Sequence, residues 1–129
     1  MSVTEARPDL AAHTKAVRAS FPELVTELRS VLGARLVAYL GSVKETRAVR
    51  QWADGERESS EEVRNRLRAA LQVALPLAEA ESPEIAQAWS QGLNPQLDDR
   101  SPARMLREGE LDEAGPAVIA AARAFLIGG

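Results

Sequence analysis

Serine-led helix starts recur along this chain at close intervals, and they constrain its fold more than any other feature. Ser20-x-x-Glu23, Ser42-x-x-Glu45 and Ser59-x-x-Glu62 have capping-box spacing, in which a serine hydroxyl and a glutamate carboxylate satisfy first-turn amides reciprocally. Ser82-Pro83 and Ser101-Pro102 place a cap residue directly before a proline at the first helical position. Gly33, Gly41, Gly55 and Gly109 supply stops between these starts. A chain marked this way reads as a succession of helices. Its composition agrees: hydrophobic residues make up 45% but aromatics only 4%, so the core is built of alanine and leucine rather than strand-favouring side chains. No alternating apolar pattern lasts long enough for a strand. The fold class expected is all-α.

The spacing predicts a helix over residues 9–19, then one after Ser20 with Leu24, Val25, Leu28, Val31 and Leu32 on one face. A short helix over 34–40 follows, then one from about Val43 to Trp52 or Ala53, begun by the Ser42 box. A long helix from the Ser59 box carries Val63, Leu67, Ala70, Leu71 and Ala74 on one side. Pro76 is expected to kink or end it. Two short helices, over 84–90 and 103–108, follow the Ser-Pro pairs. Gly115-Pro116 is expected to open the last helix, AVIAAARAFLI. We divide the chain into an arm over 1–20, a helix-turn-helix region over 21–58 and a helical part over 59–129.

The inventory argues against chemistry. Cysteine is absent and His13 is the one histidine, so thiolate and multi-histidine metal sites are excluded. There is no glycine-rich phosphate loop. Asp98-Asp99 is an adjacent acidic pair, and we read it as a solvated loop pair. Neither an enzyme nor a cofactor is expected. No apolar run is long enough to span a bilayer and the N-terminus lacks a secretory apolar region, so the expected location is the cytoplasm, without membrane partners.

Charge is unevenly placed. Residues 1–33 carry four cations and four anions, 34–68 eight and six, and 69–129 four and nine. A basic middle beside an acidic end suggests two surfaces with different partners. Within KETRAVRQW, Val49 and Trp52 are expected to face the core while Lys44, Thr46, Arg47, Arg50 and Gln51 face outward. Arginine can read guanine edges, glutamine and threonine can reach bases, and lysine neutralises phosphate. Arg57, and beyond it Arg64, Arg66 and Arg68, are candidate backbone contacts. The pattern L-x-x-Y-L-G-S-V-x(5)-V-x-x-W-x-x-G, from Leu36 to Gly55, resembles the helix-turn-helix of phage-repressor-like regulators.

The C-terminal half has a more distinctive order. Trp89, Asn94-Pro95, Leu97, Pro102, Leu106 and Gly109 follow one another and lead into the apolar last helix. This order resembles the toxin-binding domain of the Xre/MbcA/ParS family of antitoxins, which often carry an Xre-type helix-turn-helix in front. The resemblance covers roughly Leu36 to the C-terminus. It implies a phage-repressor-like N-terminal part packed on a small helical toxin-binding part. It implies a RES-domain toxin that degrades nicotinamide adenine dinucleotide as partner, blocked at its active site. Operator DNA is a second implied partner, through autorepression. Arg104, Arg107, Arg123, Phe125, Leu126 and Ile127 are the candidate toxin-facing residues, with intramolecular pairing to Asp98, Asp99 or Glu108 as the simpler role for the arginines. The apolar last helix also suits a homo-oligomer. The alternative is a stand-alone helix-turn-helix regulator with a dimerising C-terminal part.

Overall fold

The computed structural model describes residues 19–128. The expected helix over 9–19 and His13 therefore lie essentially outside the described residues. Among those described, the protein is all-α, without a strand: α1 (Phe21–Leu32), α2 (Ala34–Leu40), α3 (Thr46–Ala53), α4 (Glu61–Ala80), α5 (Pro83–Gln91), a 3-10 turn (Pro95–Leu97), α6 (Pro102–Glu108) and α7 (Leu111–Gly128). Helix α4 is the hub. It packs on α1 and α2 before it and on α5, α6 and α7 after it.

Local chemistry explains most of the starts. Ser20 and Glu23 form the full capping box, with the Glu23 amide on Ser20 Oγ at 3.3 Å and the Ser20 amide on Glu23 Oε1 at 3.0 Å. Ser82 and Ser101 accept from the amides of Ile85 and Arg104, each at 3.1 Å. The Ser20 amide, then its hydroxyl, holds the Glu23 carboxyl below its ordinary value. A lowered folded pKa gives stability that is present above the unfolded value and lost as pH falls through the folded one. Glu23→Gln is therefore expected to melt below the native protein at neutral pH, with the gap closing on acidification. Thermal melts followed by circular dichroism check this, and a gap independent of pH would refute it.

Four expectations are corrected. Helix α3 starts at Thr46, not Val43, and no Ser42–Glu45 box forms. Ser42 is instead the left-handed residue (φ 57°) of the closure that ends α2. Its amide donates to the Tyr39 carbonyl at 3.1 Å and the Val43 amide to that of Ala38 at 3.0 Å, a Schellman pattern. A residue in that conformation cannot serve as the extended cap of the next helix. Second, the long helix is capped by Ser60, whose hydroxyl accepts from the Val63 amide at 3.2 Å; Ser59 donates to the Ser60 carbonyl. Third, Pro76 does not end α4, which runs on to Ala80. Val73 through Leu77 are all buried, and wrapping five consecutive residues offsets the hydrogen bond that proline removes. Fourth, the last helix begins at Leu111, with Pro116 inside it. Asp112 and Glu113 in its first turn complement the helix dipole.

The core joins Leu24, Leu28, Leu40, Val49 and Trp52 to Leu67, Leu71 and Leu77, and reaches Leu97, Leu106 and Val118 in the C-terminal part. Gln87 Nε2 donates to the Val31 carbonyl at 3.0 Å, tying α5 to the end of α1. Arg66, expected outside, is buried in α4 and binds the turn between α2 and α3.

Candidate nucleic-acid and partner surfaces

Helix α3 divides as its sequence suggests. Ala48, Val49 and Trp52 are buried; Lys44, Thr46, Arg47 and Arg50 are exposed and Gln51 is half-buried. Lys44 stands in the turn before the helix rather than on it. The Trp52 ring meets Phe21 edge-on at 5.8 Å. It also lies against Gly41, where a Cβ would come within 2.7 Å of Cη2. Gly41 is thus required for space: it lets α2 end flat against the indole.

Two open grooves flank the segment from Val43 to Arg47. The larger, about 700 Å³, is lined by Arg35, Tyr39, Lys44, Glu45, Thr46, Arg47 and Arg107, with Ala38 and Val43. The other, about 380 Å³, adds Ala48, Gln51 and Arg57 to the shared wall. Among the described residues, Glu45 is the one carboxylate bordering either groove. Arg57 lies 5.9 Å from the Trp52 ring centre and donates to Gln51 Oε1 at 3.4 Å. Arg50 reaches Asp54 at 4.0 Å. Arg64 pairs with Glu58 and lies over Phe21, and Arg68 donates to Asn65.

Arg107 is where sequence reasoning fell short. Its guanidinium lies over the Tyr39 ring, 4.4 Å from the centroid, beside Lys44 and Arg47. Arg35 belongs to the same groove and was not singled out. Arg35 and Tyr39 are one helical turn apart on α2, a signal that was available. Nothing local in the sequence connects Arg107 to Tyr39.

Three of the C-terminal motif residues, Trp89, Asn94 and Pro95, line a different groove, together with Leu93, Gln96, Ala121, Ala124, Phe125 and Gly128. Asn94 Oδ1 accepts from the Gln96 amide at 2.9 Å, and the Asn94 amide donates to the Arg100 carbonyl at 3.2 Å, closing the loop. Asp98 and Asp99 are exposed and both left-handed, a conformation that aspartate tolerates. Asp98 lies 3.9 Å from Arg100. Leu97, Pro102 and Leu106 are buried. Gly109 is needed for space, since a Cβ there would meet the Met105 carbonyl at 2.8 Å and Ala114 Cβ at 3.1 Å.

The candidate toxin-facing residues separate. Phe125 packs on Trp89, ring centres 6.3 Å apart, and Leu126 is half-buried against the core. Ile127 is 88% exposed and Leu93 78%. Arg104 bridges to Glu108 at 3.1 Å, and Arg123 is exposed on α7. Among the described residues no cluster of metal-ligating side chains occurs, and no helix is long and apolar enough to cross a membrane. Comparison of the chain with protein-family models, curated proteins and solved structures finds no match.

Proposed function

We propose that the protein is the antitoxin of a type II toxin–antitoxin pair. Its C-terminal end covers the active site of a RES-domain, NAD-degrading toxin, and α2 and α3 act as a helix-turn-helix that represses the shared operon. The observation that carries this is the apolar end around Trp89 and Phe125. Leu93 and Ile127, the most exposed large hydrophobics described, belong to the segments that resemble the toxin-binding domain. Leu93 also borders the open groove with Trp89 and Phe125, and an apolar rim of this kind suits a protein partner. In a co-expression assay with a RES toxin, Leu93→Asp with Ile127→Asp is expected to abolish neutralisation. The fold should survive, because both side chains lie in solvent. Full neutralisation by a folded double variant would refute the reading.

The alternative, a stand-alone helix-turn-helix regulator, is favoured by the basic grooves beside α3. A pull-down from native cells at moderate salt separates the two. Recovery of a RES-domain protein supports the antitoxin; recovery of the chain only with itself supports the regulator.

A further inference from the structure

We infer that Arg35 and Arg107 form a phosphate seat beside α3, so that the C-terminal half of the chain takes a direct part in gripping DNA. This rests on the DNA-binding part of the proposed function and extends the surface beyond α3.

Arg35, Lys44, Arg47 and Arg107 come from α2, the following turn, α3 and α6, yet they border one groove. The ion pairs found among the described residues use other arginines: Arg50, Arg64, Arg66, Arg100 and Arg104. Among the described residues, none of these four cations forms an ion pair with a carboxylate. Arg107 is held in place by the Tyr39 ring. A ring contact of this kind orients the guanidinium without neutralising it. Arg57 continues the basic character into the adjoining groove. Cations spread across neighbouring grooves, with Glu45 the one carboxylate among the described lining residues, suit the repeating charge of a duplex backbone. Thr46 borders the first groove and Gln51 the second, and both side chains can hydrogen-bond base edges. A phosphate contact from α6 would also place operator grip and the toxin-binding part on one connected set of helices.

The test measures affinity against salt for two duplexes, one from upstream of the protein's own gene and one of random sequence. Arg35→Ala and Arg107→Ala are each expected to weaken both duplexes by the same factor. Each should reduce the slope of log affinity against log salt by about 1, and the double variant by about 2. Arg107→Lys should restore the slope, because it keeps the charge. Arg47→Ala, by contrast, should erode discrimination between the duplexes. If Arg35→Ala and Arg107→Ala leave the slope unchanged while Arg47→Ala loses discrimination, the seat is refuted and the helix-turn-helix reading stands. If the native protein binds neither duplex at low salt, both fall. If the slope is unchanged but toxin neutralisation is lost, the groove takes an acidic protein instead and the seat is refuted. Arg35 is exposed at the head of α2, so its variant carries the test even if Arg107→Ala unfolds.

Discussion

Replacing Trp52 by alanine is expected to cost about 3–5 kcal/mol and to lower the melting temperature by about 10–20 °C. The indole is 2% exposed, meets Phe21 edge-on and fills the space above Gly41. Besides it, α3 buries only Ala48 and Val49, too little to hold an eight-residue helix in register. Loss of the ring should therefore loosen α3 from α1 and weaken DNA binding in parallel. Trp52→Phe is expected to lose markedly less. It keeps most of the apolar surface and removes the indole Nε1, which is buried without a hydrogen-bond partner. Gly41→Ala tests the same contact from the other side. Its Cβ would collide with Cη2 and Cζ3, atoms that phenylalanine does not extend to, so the substitution should be costly in the native protein and milder beside Trp52→Phe. Urea unfolding of the four variants measures this coupling. Strict additivity, or an alanine variant as stable as the native protein, would show that the ring does not anchor α3.

Arg66→Ala is expected to cost about 1–3 kcal/mol, chiefly by orphaning a buried carbonyl. Arg66 Nη1 donates to the Leu40 carbonyl at 2.9 Å and to Ser42 Oγ at 3.3 Å, while Nη2 meets Glu62 Oε1 at 3.1 Å. The Leu40 carbonyl lies at the end of α2, where the helix supplies no partner. The guanidinium thus holds the turn before α3 against the hub helix. Arg66→Lys should recover only part of the loss, since a single ammonium cannot reproduce the fork. Glu62→Gln should cost little, because Glu62 is 82% exposed and an exposed pair partner is worth about 0–1 kcal/mol. Equal destabilisation by Glu62→Gln and Arg66→Ala would mean that the ion pair, and not the carbonyl contact, is what matters.

How far the sequence could be read follows from what each signal depends on. The Ser20 box and the Ser82-Pro83 and Ser101-Pro102 starts were legible, because a cap uses atoms within three residues of one another. The start of α3 was misplaced because Ser42 satisfies two motifs on paper. The closure of α2 claims its backbone, and the capping box loses. Local preference makes Pro76 a kink or end and Pro116 a helix start, yet both lie inside helices, and around Pro76 burial of the surrounding turn offsets the lost hydrogen bond. Of the site, the outward face of α3 was legible from period alone. Arg107 was assigned to the partner-facing end because it sits in the C-terminal motif. Only packing of α6 on α2 brings it to Tyr39.

The sequence by itself determined the all-α class, the apolar faces of α1 and α4, and the division of α3 into a buried and a basic side. Each of these rests on periodicity or on a hydrogen bond between near neighbours. Tertiary structure alone decided that Arg66 lies inside while Arg35, Lys44, Arg47 and Arg107 share a groove, and that Leu93 and Ile127 remain in solvent. Those outcomes depend on how helices distant in the chain pack around α4, and no local pattern encodes which arginine will face a carbonyl, a ring or open water.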